Sequence, residues 1–214
     1  EEYGDMKFQP QTALTFMTKR MNRPAQDSYT IVAEWEKIKA TNKPIPDINN
    51  YSCVGGVDFA STRDFVGCGL LFKVGDKRVW LHHSFICHRA LEIKGRAIKF
   101  DVKLAEKEGL CTVLKEDTIK PKYIANWFLN MVSKYNINIL DICCDRYRKM
   151  LLETAFKEVG LPLSDVGNGY ITHNKLAPLI EQLFADENII YGDDKMMRWY
   201  TNNVYVDTDA KGNK

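Results

Sequence analysis

The chain has 214 residues, enough for one sizeable core with an appendage and too few for two full enzymatic domains. Its 30 basic and 28 acidic residues nearly cancel to a formal net charge of +2, which excludes a polycationic coat for nucleic acid and identifies no partner by itself. Six cysteines stand singly apart from the Cys143-Cys144 pair, and no Cys-x-x-Cys spacing suggests zinc or redox chemistry. Neighbours on a strand face opposite ways, so that pair is not expected to bridge. His82, His83, Cys87 and His88 lie too close in sequence for an ordinary metal-ligand pattern. Neither a signal peptide nor a run of about 18 apolar residues occurs, so a soluble chain in a reducing cytoplasm is expected.

In chain order, Leu14, Phe16, Met17 and Met21 predict a short helix, and Val32, Trp35 and Ile38 the apolar anchors of a second. The polar, proline-broken stretch 41–50 reads as a linker, which makes residues 1–50 a helical lead-in to a domain spanning 51–214. Strands are expected over 51–59, 65–74 and 78–86, the last two joined by a tight turn at Gly75-Asp76. Val113-Leu114 forms a further short extended piece. An apolar stripe of Ile124, Phe128, Met131, Val132 and Tyr135 predicts a helix over 122–135. A strand over 137–145 follows, then a helix over 147–159 stopped by Gly160 and Pro162. Leu163 to Val166 reads as a fifth strand, Leu176 to Ala185 as a helix, and Met196 to Asn203 as a short segment centred on Trp199. Glu1 and Lys214 both read as cut or incompletely ordered ends.

Two apolar runs end in an acid. Cys53-Val54-Gly55-Gly56-Val57 delivers Asp58 into a turn of small hydroxyl residues, and Ile137 to Cys144 delivers Asp145 just before a helix. If the runs are parallel neighbours, both carboxylates emerge at the carboxyl edge of the sheet, where open α/β sheets build their sites. Such a pair suits Mg²⁺ or Mn²⁺. Singly, Asp58 could instead close a turn and Asp145 could cap the following helix. Asp64 and Asp141 are secondary candidates, one in the turn and one deeper on the strand. Three antiparallel strands, then helix, parallel strand, helix, strand and helix, is the element order of a ribonuclease-H-like α/β fold. Its expected form is a mixed five-stranded sheet flanked by helices, with right-handed crossovers.

With these elements in place, the sequence resembles the nuclease domain of the large terminase subunit of tailed bacteriophages. Gly56-Val57-Asp58-Phe59-Ala60-Ser61-Thr62-Arg63-Asp64 is similar to that family's first acidic motif, and Cys144-Asp145-Arg146-Tyr147 to its second. Met196 to Val204, running on to Asn213, resembles the tryptophan and asparagine segment and its hairpin. Phe16 to Pro24 with Glu34-Trp35 resembles the junction with the packaging ATPase. No Gly-x-x-x-x-Gly-Lys-Ser/Thr occurs, so the ATPase domain is expected elsewhere in the same polypeptide. The family's last metal-binding carboxylate is expected past Lys214.

The resemblance implies a metal-dependent endonuclease that cuts concatemeric double-stranded DNA by two-metal phosphodiester hydrolysis. Asp58 would bridge two Mg²⁺ or Mn²⁺ ions and Asp145 would bind one. Arg63, Arg146, Arg148, Lys149 and Arg198 are expected DNA contacts, with Lys175 a weaker one, whereas Trp127 and Trp199 read as core anchors. Implied partners, besides DNA and the ATPase domain, are the portal protein and the small terminase subunit, and no membrane. The implied location is the host cytoplasm, transiently at the procapsid portal. Two other readings are a non-catalytic module of the same fold that docks DNA or portal, and an ATPase fragment of the actin and sugar-kinase type.

Overall fold

A computed structural model describes residues 31–206 apart from 63, 94–97, 168 and 205. The helix expected from Leu14 to Met21, Arg63 and the hairpin expected after Val204 lie outside the described residues. Helix α1 (Trp35–Lys39) precedes strands β1 (Ser52–Asp58), β2 (Phe65–Val74) and β3 (Lys77–Cys87), which form an antiparallel meander. Then come α2 (His88–Leu91), α3 (Val102–Lys107), β4 (Cys111–Leu114), α4 (Pro121–Tyr135), β5 (Asn138–Asp145), α5 (Arg146–Glu158), β6 (Ser164–Val166), α6 (Tyr170–Ala185), β7 (Ile189–Ile190) and α7 (Lys195–Asn203). The strand order is β4-β3-β2-β1-β5-β6, with β7 also on β3. Pairs β1–β5, β5–β6, β3–β4 and β3–β7 are parallel.

The element order is the expected one, but the described residues hold seven strands where five were expected. The additions are β4, of four residues, which takes in the short extended piece expected at Val113-Leu114, and β7, of two, too short to show a period in sequence. Helix α6 begins six residues before the expected Leu176, because its first turns carry Thr172, His173, Asn174 and Lys175 and so lack an apolar stripe. Local chemistry sets several boundaries: Gly75 takes a φ of 58° at the β2–β3 turn, and α4 opens on Pro121 and ends at Asn136, with a φ of 48°. Residues 41–50 are packed as well as polar. Thr41 and Ile48 are buried, and the Thr41 carbonyl accepts the Tyr191 N–H.

The sheet has two unlike faces. On one, Cys53 and Val57 of β1 join Ile142, Phe128, Leu152 and Phe156 in the main core beneath α4 and α5. Full burial of each large side chain there contributes roughly 1.5–3 kcal/mol. On the other, the Trp80 ring crosses Gly69 and Gly56 and joins a second cluster of Ile38, Phe184, Ile189 and Tyr191, which draws α1 and α6 onto the sheet beside its strand β7. All six cysteines are free, Cys144 buried and its neighbour Cys143 only partly so. Among the described residues no helix is long and apolar enough to cross a membrane.

The two glycines under Trp80 separate steric need from mere tolerance. A Cβ at Gly69 collides with the Trp80 ring and lies 2.7 Å from the Leu81 carbonyl oxygen, whereas one at Gly56 meets Trp80 at an ordinary 3.6 Å. Gly69→Ala is therefore expected to lose about 1–3 kcal/mol of stability by overpacking. Gly56→Ala should stay within about 0.5 kcal/mol of wild type. Thermal and urea unfolding measure both, and equal stability of the two variants contradicts this packing.

Candidate active site at the carboxyl edge of the sheet

Parallel pairing sets Gly56 beside Cys143 and Val57 beside Cys144, so the next residues, Asp58 and Asp145, leave the sheet at one level. Each stands two positions beyond the Gly56–Cys143 row, and period-two alternation puts both on that face. Burial in the cleft raises the Asp58 carboxyl above its ordinary value, and the negative charges of Asp64 and Asp145 raise it further, with Arg148 opposing. Three acids thus share one field. Asp145 is at the same time the N-cap of α5: one carboxylate oxygen accepts the Tyr147 N–H at 2.7 Å. The cap engages one of its two oxygens, so the helix-capping role and a ligand role are compatible in geometry.

The cleft beside Asp58 encloses about 450 Å³. Asp58, Asp64, Phe65 and Gly67 form one wall, and Trp199, Tyr200, Asn203 and Val204 the other, with Ile98 at the margin. Gly67 pairs with Asp58 across β1 and β2, and a Cβ there would meet nothing within 4 Å, so the floor of the cleft is open. Helix α7 supplies the second wall. Its residues Met196, Arg198 and Thr201 are buried, which turns Trp199, Tyr200 and Asn203 to the cleft.

The expected site residues divide. Asp58 and Asp145 come together, and Asp64, ranked second in sequence, stands nearer the centre than its turn position suggested. Asp141 lies further up β5, its carboxylate accepting the Ile142 N–H at 2.8 Å. Exposed Arg148 sends its charge to Asp58. Arg146 and Lys149 both bind Asp165, at 3.0 and 3.2 Å, which groups them at the β6 edge beside the acids. Arg198 requires correction as a DNA contact. It is 8% exposed, and its guanidinium donates to the Gly192 carbonyl at 2.8 Å and to Asp193 at 3.0 Å, pinning the β7–α7 connection. Trp127 packs beside Phe128 as expected, but Trp199 lines the cleft, between Phe100 and Tyr200 at 5.2 Å each. Tyr200 and Asn203 fall in the segment singled out by resemblance, whereas no sequence signal marked Gly67 as lining a site.

Among the described residues no group of three or more His, Cys, Asp or Glu is placed to hold a metal ready-made. What the site offers is mutual repulsion among hard oxygen donors, which a divalent cation relieves. Mg²⁺ keeps several waters and needs only one or two protein carboxylates, so the donor set fits it.

The family described as terminase large subunit, endonuclease domain, matches residues 7–214. The large terminase of bacteriophage HK97 has a similar structure, with a TM-score of 0.74 at 14% identity, over 99% of this chain and 44% of that one. The present chain therefore spans less than half of that protein. The large terminase nuclease of thermophilic phage G20c gives a TM-score of 0.53 at 9% identity over 86% of each chain. A second structure of it, with bound magnesium, gives the same score and identity over 87% of each. These likenesses establish the ribonuclease-H-like fold. No curated protein compared with the chain matches it.

Repulsion at Asp58 has a measurable sign. Its pKa in the fold lies above the ordinary 3.8, so its ionisation costs stability: the cost is absent below pH 3.8, grows as pH rises from there, and is complete above the raised value. In EDTA at neutral pH, Asp58→Asn should melt above wild type, with the gap closing on acidification. Mg²⁺ or Mn²⁺ should raise the wild-type Tm and leave the variant unmoved. Calorimetry that finds identical melting at every pH, with and without metal, contradicts a shared carboxylate field.

Proposed function

Because the chain belongs to the family of terminase large-subunit endonuclease domains, we propose that its Asp58 cleft hydrolyses double-stranded DNA with two divalent cations, Mg²⁺ or Mn²⁺. The observation that carries this reading is the β1–β5 register, which brings Asp58 and Asp145 out of the sheet at one level, with Asp64 lining the same open cleft as Asp58. Asp58, central to the three, would bridge the ions, and Asp145 would hold one through the oxygen its helix cap does not use. Asp64 would complete the shell or orient a bound water. Two such ions, when bound roughly 3.5–4 Å apart, activate a water and neutralise charge on the phosphate and the leaving oxygen. The protein's own part is to hold the carboxylates on rigid strand ends, so that little rearrangement accompanies the reaction.

DNA is held by backbone charge. Arg148 beside Asp58, with Arg146 and Lys149 at the β6 edge, supplies contacts that are independent of sequence and weaken with salt. Arg63 belongs to the same proposed set. The substrate is concatemeric viral DNA, cut when packaging starts and stops in the host cytoplasm, transiently at the procapsid portal. Residues 51–214 form the nuclease and 1–50 lead in from an ATPase domain of the same polypeptide, a division consistent with the greater length of the HK97 protein. Portal protein and the small terminase subunit are the further partners.

Asp58→Ala and Asp145→Asn test the site without losing the fold, since Asn caps a helix about as well as Asp. Both should lower plasmid cleavage in Mn²⁺ by more than about a hundredfold, about 2.7 kcal/mol of transition-state stabilisation. Circular dichroism should stay that of wild type. The assay is run on this chain and on one extended past Lys214. Full cleavage by either variant contradicts the assignment, and a wild type inert in both lengths supports the docking-module reading instead.

The open floor of the cleft gives a second test that does not depend on metal ligands. Gly67→Val adds a side chain into free space on a strand, so unfolding should move by less than about 0.5 kcal/mol. Cleavage should nonetheless fall, because the new methyl groups stand beside Asp58. Unaltered cleavage by a folded Gly67→Val protein removes the cleft from the proposal.

A further inference from the structure

Four polar side chains behind the cleft form a continuous buried chain. His82 Nδ1 lies 2.9 Å from an Asp194 carboxylate oxygen, His82 Nε2 lies 2.8 Å from Ser84 Oγ, and Ser84 Oγ lies 3.0 Å from the Tyr200 hydroxyl. The second Asp194 oxygen accepts the Met197 N–H at 2.7 Å, which caps α7. Ser84 is 0% exposed and Asp194 6%, and the His82 side chain is 4% exposed. One donor order uses every hydrogen once: Tyr200 O–H to Ser84, Ser84 O–H to His82 Nε2, and His82 Nδ1–H to Asp194. Removing any single member leaves a buried polar group unsatisfied.

The Ser84–His82–Asp194 distances are those of a nucleophilic triad, but this serine cannot act as one. Its Oγ is sealed from solvent and already engaged by Tyr200, so no acyl substrate reaches it. The direction in which the chain leads is more informative. Register sets Asp58 beside Gly67 and Gly67 beside Ser84, so Asp58 and Ser84 share a row and a face, with no side chain between them. Tyr200 connects that row to the cleft wall without filling the space over Gly67. Its hydroxyl reaches Ser84, and the residue lines the cleft with Asp58 and Gly67. The His82 and Tyr200 rings also meet edge-on, at 5.5 Å and 83°.

We propose that Asp194, His82, Ser84 and Tyr200 form a positioning relay that clamps α7 at a fixed height over the Asp58 row, with Tyr200 setting the width of the cleft. The relay rests on the reading of that cleft as the DNA-cutting site. Tyr200 touches no reacting atom in this scheme. It acts through the wall it belongs to, keeping Trp199 and Asn203 opposite Asp58 and Asp64. Both ends of α7 depend on the relay, since Asp194 caps its first turn while Tyr200 holds its last against β3.

Tyr200→Phe, Ser84→Ala and the double variant test the relay, because loss of both hydroxyls removes the Ser84–Tyr200 bond with little change of shape. Amide hydrogen exchange across α7 is the readout that needs no activity. It should quicken about tenfold in each variant, while Tyr200→Phe, which leaves Ser84 its bond to His82, melts closer to wild type than the variants without the Ser84 hydroxyl, in which buried His82 Nε2 has no partner. At saturating DNA in Mn²⁺, single-turnover cleavage should fall about tenfold with DNA affinity retained, and the double variant should be no slower than the slower single one. Wild-type exchange rates in α7 overturn the proposal. So does cleavage that falls only with the folded fraction, or multiplicative losses in the double variant. A wild type that cuts nothing both at this length and when extended past Lys214, while the variants loosen α7, supports the clamp and overturns the nuclease reading, so the two failures are distinct.

Discussion

Parallel pairing of β1 with β5, in the register that sets Val57 beside Cys144, places two acids side by side at the edge of the sheet. Left alone, that juxtaposition is unfavourable: Asp58 is pushed above its ordinary pKa by burial and by the charges of Asp64 and Asp145. The fold holds the carboxylates there regardless, since the strands that carry them are fixed by the main core on the opposite face. Repulsion maintained by rigid packing is what a cation site requires. The apolar side of the sheet supplies the energy that keeps its polar side charged.

Glycine makes room on the charged side. Gly69 lets Trp80 lie against the sheet, where its ring joins the cluster that brings α1 and α6 onto that face, and Gly67 leaves the space beside Asp58 open. Helix α7 then closes the cleft. It is held by a cap at Asp194, by the buried Arg198 guanidinium and by the Tyr200–Ser84 contact. One wall of the cleft is therefore strand and the other helix. The helical wall depends on side-chain hydrogen bonds where the strand wall depends on the ladder.

Much of this was legible in sequence, and the exceptions have physical causes. Apolar runs ending in Asp58 and Asp145, the stripe from Ile124 to Tyr135 and the turn at Gly75 each carry a local signal, and the resulting strand order leaves few topologies open. Strand β7 has two residues and exists only because β3 offers Arg78 and Val79 as partners. Arg198 reads as a surface base in a polar helix, and only the folded chain shows the Gly192 carbonyl that takes it inside. Trp199 follows an apolar pattern that marks burial without saying whether core or cleft does the burying. His82 and Asp194 stand 112 positions apart, so their contact has no local sequence signal. Asp64 was undervalued because a turn acid ordinarily faces solvent, and its repulsion of Asp58 is a tertiary effect.

Crystals of the chain soaked in Mn²⁺ and measured at the manganese absorption edge test the central claim most directly. The account predicts anomalous density between the Asp58 and Asp145 carboxylates, with Asp64 within reach of the same ions or their waters. Manganese bound elsewhere while this cleft stays empty at saturating concentration contradicts it.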